Sequence, residues 1–319
     1  MAEGTIGVQV EVSTAPAFLD AVQRAEQLGI PAVWATSGDP LDSLALFAAA
    51  ATRTERVRLG TAVTRTFSRH PIVIALETIT IAQLAPGRFR LGLGASSQRI
   101  QSWYGVQIPR PIAHTRAYIQ AVKALLDTGA VDIAQEGIVA RYRLPAPPQV
   151  HVPVLAAALR RGAYRMSGAV ADGAISWICP AAYLRDVALP ALREGAAAAG
   201  RPAPPLVMHV PVCISDDLAA ARAALRDRFG IYVRFPHYAA MFVDAGFPEA
   251  QRGEWSDAML DAVAVYGAES AVADALRARL ALGASELLVT AVGAEPQPER
   301  GVERVWRLIA DLAREPTGR

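Results

Sequence analysis

The chain is short of the residue types that announce many kinds of chemistry. Among 319 residues there are 2 cysteines, Cys179 and Cys213, and 5 histidines. The cysteines form no CxxC pair, which excludes a zinc-ribbon or thioredoxin motif, and two thiols are too few to frame so long a chain with disulfides. They read as buried thiols in a reducing cytosol. The histidines are scattered, with neither His-x-His nor His-Glu-x-x-His, so no metal site is expected. A surplus of one charge is missing as well: Lys plus Arg is 32 against 30 for Asp plus Glu, a formal net charge of +2. That balance gives no electrostatic footprint for nucleic acid or an anionic membrane, and neither is an expected partner. Apolar runs are short and interrupted, so no membrane span is expected. The opening MAEGTIGVQVEV has no signal-peptide pattern. A cytoplasmic protein with a small-molecule substrate is the expectation. No Gly-x-Ser-x-Gly elbow occurs, which removes an α/β-hydrolase.

What is present is rhythm. Hydrophobic residues make up 52% of the chain, ample for a large core, and short β-rich runs alternate with longer helical ones. Strands are predicted at Thr5–Val12, Ala32–Thr36, Val57–Thr64, Phe89–Gly94, Val152–Ala157, Ala174–Ile178, Leu206–Ile214 and Glu286–Ala291. Helices follow them, among them Leu41–Arg53, His70–Leu84 and Ala181–Ala199, with Ser215 or Asp216 capping a helix that starts near Leu218. Strand after strand followed by helix predicts an α/β fold, a single (β/α)8 TIM barrel over residues 1–319. Two insertions interrupt it, near 129–151, expected to hold a hairpin, and 230–266. The aromatic stretch Gly230–Gly253 reads as a helical insertion packed on the barrel, or as a lid or oligomer surface.

Chemistry in a barrel sits where strands end and βα loops begin. Here those places are Thr36-Ser37-Gly38, Ala62-Val63-Thr64, Ala95-Ser96-Ser97, Ala157 to Arg161, Trp177 to Pro180 and His209 to Cys213. They are rich in small and hydroxyl residues and poor in carboxylates. Gly92-Leu93-Gly94 starts like a dinucleotide fingerprint, but its third position is Ser97 and no acidic residue follows at the right distance. Close backbone approach is the better reading of these glycines. Arg160 and Arg161 open a helix, where free N–H groups and guanidinium can hold a phosphate. The alternative is a solvated pair on the rim.

These blocks carry a family resemblance. Val57-Arg58-Leu59-Gly60-Thr61-Ala62-Val63, His70-Pro71, Pro86-Gly87-Arg88-Phe89 through Gly94, Val152-Pro153-Val154, Ala171-Asp172-Gly173 and the stretch Ala268 to Val289 resemble, in order, motifs of the luciferase-like oxidoreductases. The resemblance implies a (β/α)8 barrel, often a homodimer, that uses FMN or coenzyme F420, a deazaflavin hydride carrier. The blocks Leu91 to Ser97, Trp103-Tyr104-Gly105 and Arg116-Ala117-Tyr118 are more similar to the F420 branch. That branch has a cis peptide behind the ring at the position matching Ala62-Val63. Cofactor contacts are expected at Ser37, Ala62, Val63, Thr64, Ser96, Ser97, Ala157, Ala158, Leu159, Arg160, Trp177 and Ile178, the resemblance implying the phosphate near Ala157, Ala158, Leu159, Trp177 and Ile178, with Arg160 or Arg161 nearby. Where deazaflavin dehydrogenases carry Asp-His, this chain has Ser37-Gly38, and where they carry glutamate it has Ser97. Their acid-base residues are therefore not transferred, and catalytic residues stay unassigned. The expected function is F420-dependent hydride transfer to a small acceptor with an activated C=N or C=C bond, which asks little of protein side chains. The alternatives are an FMN-dependent monooxygenase and a non-catalytic flavin-binding barrel. Homodimerisation is expected through the second and third helices, the second of which nearly lacks a polar stripe.

Overall fold

Strands form from aliphatic, β-branched runs buried on both faces, as in a parallel sheet covered by helices. A computed structural model of the chain describes residues 4–37, 41–294 and 296–315. The first half holds β1 (Thr5–Gln9), α1 (Ala15–Leu28), β2 (Ala32–Ala35), α2 (Ser43–Ala51), β3 (Arg58–Thr61), β4 (Thr64–Arg65) and α3 (Pro71–Leu84). It continues with β5 (Phe89–Gly94), α4 (Gln98–Trp103), α5 (Pro111–Thr128), β6 (Ala130–Gln135) and β7 (Ile138–Arg143). Next come β8 (Val154–Ala157), α6 (Arg161–Val170), β9 (Gly173–Ser176), α7 (Ala181–Tyr183), α8 (Leu189–Ala198), β10 (Leu206–Ile214) and α9 (Leu218–Phe229). The chain closes with α10 (Pro236–Asp244), α11 (Asp257–Val263), β11 (Val265–Gly267), α12 (Glu269–Ala281), β12 (Glu286–Ala291) and α13 (Pro298–Leu312).

Parallel pairing runs β1-β2-β3-β5-β8-β9-β10-β12, and β12 pairs back onto β1, so eight parallel strands close a barrel with helices outside. All eight predicted strands are there. The third is interrupted: β3 stops at Thr61, the Ala62–Val63 peptide is cis, and β4 resumes at Thr64 beside β5. The expected hairpin is β6–β7, whose turn residues Glu136 and Gly137 both have positive φ (52° and 75°), the backbone of a tight two-residue turn. Several details differ from expectation. β1 ends at Gln9 rather than Val12, and the cap of α9 is Asp217, which accepts from the Ala219 and Ala220 N–H groups. The helix expected over Ala181–Ala199 is broken by a π turn at Leu184–Ala188, just ahead of Pro190, which has no N–H to continue the α ladder. The short β11, beside the end of β10, has no counterpart among the predicted strands.

Side chains fill the barrel in layers. A cluster separate from the outer core joins Trp34, Ala62, Leu155, Ile175, Val207 and Leu288, six residues from six strand positions around the ring. Trp34 fits because β3 faces it with Gly60, where a Cβ would lie 2.6 Å from the indole. At the N-terminal end, the buried Glu286 carboxylate accepts from Trp34 Nε1 (2.7 Å) and from the Arg90 guanidinium (2.5 and 3.1 Å).

Candidate active site

Parallel strands send all their C-terminal ends to one rim. The residues expected to hold a cofactor lie along five adjacent strands of it, β2, β3, β5, β8 and β9. Ser37 is joined to the next strand: its N–H donates to the Val63 carbonyl (3.3 Å), and its own carbonyl accepts from Arg65 (2.9 Å). Gly38 lies outside the described residues. Val63 and Ala157 meet across Gly94, where a Cβ would stand 2.8 Å from Ala157 Cβ and 2.9 Å from Val63 Cγ2. A side chain at Gly92 would run into the Thr61 carbonyl at 2.1 Å. Close backbone approach is thus what these two glycines provide. Ser96 has φ 58°, and Ser97 caps α4 by accepting from the Ile100 N–H. Thr64 is buried, with no hydrogen-bond partner for its hydroxyl among the described residues.

Beyond β8 and β9 the expected phosphate anchor is partly engaged already. The Ala158 N–H donates to the Ile175 carbonyl (2.9 Å), and the Ile178 N–H to His209 Nδ1 (3.4 Å). Arg160 precedes α6, with its guanidinium on Asp244 of α10 at 3.1 Å. Arg161 lies on Glu194 of α8 at 2.5 Å. The half-exposed Arg160 and Leu159 remain at the head of α6, whose first N–H groups and positive dipole end suit an anion.

The rest of the rim, β10, β12 and β1, carries polar residues that sequence reasoning did not place in the site. His209 Nε2 stands 2.8 Å from Thr290 Oγ1, and the Thr290 hydroxyl donates to Gln9 Oε1. Trp177 stacks on the His209 ring (3.7 Å between centroids, 13° between planes) and donates to the Tyr232 hydroxyl (2.9 Å). Burial, with Arg228 adding to it, holds His209 well below the ordinary imidazole value, so the ring is neutral. The available signal was parity: His209 and Val207, Thr290 and Leu288, Trp177 and Ile175 are two residues apart, hence on the same barrel-facing side.

The rim therefore has two halves. One is small, apolar and hydroxylic (Ser37, Val63, Ala157), and none of the strand-end residues expected to hold the cofactor is a carboxylate. The other is polar and aromatic. A flat ring can approach the backbone of the first half, so the residues present fit a flavin or deazaflavin there. Among the described residues no three of His, Cys, Asp and Glu gather to hold a metal, and no helix is long and apolar enough to cross a membrane.

A family model described as luciferase-like monooxygenase matches residues 3–286. The chain belongs to that family. It is similar to an F420-dependent glucose-6-phosphate dehydrogenase of Beutenbergia cavernae, 35% identical over 217 residues, 62% of this chain and 64% of that one. In fold it matches an F420-dependent secondary alcohol dehydrogenase, solved as an F420-acetone adduct (TM-score 0.81, 17% identity, 99% of this chain and 100% of that one). It also matches the oxygenating constituent of 3,6-diketocamphane monooxygenase from Pseudomonas putida, solved with FMN (TM-score 0.72, 17% identity, 97% and 98% covered). This luciferase-like chain is an oxidoreductase of the flavin- or deazaflavin-dependent kind, which sets aside the reading of a non-catalytic flavin-binding barrel.

Proposed function

We propose that the chain is an F420-dependent oxidoreductase that moves hydride between reduced deazaflavin and a small organic acceptor with an activated C=N or C=C bond. The observation that carries this reading is the composition of the rim. Five adjacent strand ends offer small and hydroxyl groups to a flat ring, and the expected cofactor positions offer no carboxylate to work as acid or base. An acceptor that needs little help from side chains suits such a site. The name of the Beutenbergia relative supports the deazaflavin over FMN.

The cofactor, when bound, supplies the hydride-carrying ring. Ala62, Val63, Ser96 and Ser97 would flank that ring, with Ser37 and Thr64 beside them. Ala157, Ala158, Leu159, Arg160, Trp177 and Ile178 would surround the phosphate end, and Arg161 stands next to them. Calorimetry with F420 and with FMN tests the assignment. Saturable F420 binding with weaker or no FMN binding is expected. FMN binding without F420 binding would move the function to an FMN-dependent monooxygenase, the reading that the FMN-bound structural neighbour favours.

A homodimer belongs to the same proposal. The outward side of α3 exposes Val73, Leu76 and Leu84, and β7 exposes Val139. His70, which caps α3, ties the two elements together through Nε2 and the Val139 carbonyl (2.9 Å). A second copy of the chain is the occupant this apolar face fits.

A further inference from the structure

The polar half of the rim has a feature that the cofactor reading leaves unused. Its hydrogen bonds have a fixed direction. The Ile178 backbone N–H can only donate, so His209 Nδ1 accepts. The neutral ring then carries its proton on Nε2 and donates to Thr290 Oγ1 at 2.8 Å. Thr290, having accepted, donates its own hydroxyl hydrogen bond to Gln9 Oε1. The amide of Gln9 is thereby oriented, and its Nε2 group has no partner among the described residues although Gln9 is only 7% exposed. An amide donor that keeps some access and has no protein partner among the described residues can meet an acceptor on a bound ligand. Arg228, whose charge acts on His209, is already paired with Glu11. Phe229 and Trp177 pack on His209, Phe229 edge-on at 5.9 Å and Trp177 face to face. Among the described residues no cation bonds to Gln9, Thr290 or His209, so none there offsets the burial of an anionic ligand.

We propose that Gln9, oriented by Thr290 and His209, donates a hydrogen bond to a neutral carbonyl, amide or imine group of the substrate. Gln9 is the residue that touches substrate, and Thr290 and His209 are positioning residues. The inference deepens the oxidoreductase reading by giving the substrate a class: planar, uncharged and bearing an acceptor atom conjugated to the reducible bond. It does not depend on whether the cofactor is F420 or FMN.

The test is binding to the full-length chain, read from the Gln9 side-chain amide and His209 ring resonances in 15N-labelled protein. The probes are cinnamamide and cinnamate, which share one planar frame and differ in charge. Cinnamamide is expected to bind at least about tenfold more tightly than cinnamate, a difference of about 1.4 kcal/mol, and to shift the Gln9 amide signal. His209 should show a proton on Nε2 and none on Nδ1. Gln9→Leu and Thr290→Val, both close in shape to the native residues, should reduce the cinnamamide preference to within about twofold. Equal or tighter cinnamate binding, an unchanged preference in both variants, or a protonated Nδ1 each overturns the proposal. Loss of F420 binding alone, with the cinnamamide preference intact, would count against the cofactor reading and leave this one standing.

Discussion

At the scale of single residues, the barrel interior depends on a few size and charge matches. Glu286 is buried, with its carboxylate shared by Trp34 Nε1, Arg90 and, at 3.6 Å, Arg58. Arg90 also lies over the Trp34 ring, 4.0 Å from its centroid. Removing one member of such a buried pair strands the other. Glu286→Leu should therefore cost about 3–5 kcal/mol, measured by urea denaturation. The double variant Glu286→Leu/Arg90→Leu should recover part of that loss. If the double variant is as unstable as the sum of the singles, the pair is not coupled. His209 makes a prediction in pH. Its folded value is depressed by burial and by Arg228, so below about 6.5 the unfolded chain takes up a proton that the folded chain refuses. The stability is complete above that pH and falls as the pH drops through it. His237, also lowered by burial, acts with the same sign. His209→Gln should reduce the stability lost between pH 7.5 and 5.5 by about 1 kcal/mol. An unchanged acid limb would place the titration elsewhere.

At the scale of elements, the strands were legible because each is a short aliphatic run buried on both faces between turn residues. The glycines at 92 and 94 were legible too, since closeness of backbones is a local demand that a local pattern can show. Residues that act together across the barrel were not. Gln9, His209 and Thr290 come from β1, β10 and β12, and only closure of the barrel brings β12 back beside β1. β11 escaped because three residues carry no periodicity. The pair Arg160-Arg161 shows the opposite limit: the sequence located a helix start, while the carboxylates that engage it arrive from α8 and α10. Since α10 holds Arg160 through Asp244 in a solvent-exposed pair, it competes with any phosphate placed at the head of α6. Such a pair is worth about 0.2–1 kcal/mol. Asp244→Asn should then tighten cofactor binding by up to about fivefold, and Arg160→Ala should weaken it, both read by calorimetry at low salt. Weaker binding in Asp244→Asn would mean that Asp244 positions Arg160 rather than competing for it.

At the scale of the whole molecule, the barrel covers most of its apolar surface with its own helices, and the face of α3 that it leaves open is informative. In α3, whose sequence is PIVIALETITIAQL, the only charge is Glu77, and it is tied to Arg69 at 3.1 Å. Val73, Leu76 and Leu84 are left 43%, 36% and 43% exposed, too much apolar area on one helix face for a surface that meets only water. α2 packs beside α3 and adds alanines, which let a second helix come close. Val139 of β7, which His70 ties to α3, extends the same apolar region. A two-fold arrangement would lay this face on its own copy, since an isologous interface needs one self-complementary patch. The chain should therefore sediment as a dimer at micromolar concentration. Leu76→Asp should give a monomer with unchanged far-ultraviolet circular dichroism, because Leu76 lies on the outer side of α3 and a charge there disturbs the partner rather than the core. A wild-type chain that sediments as a monomer at that concentration would defeat the dimer, and a Leu76→Asp variant that stays dimeric would move the interface to another face.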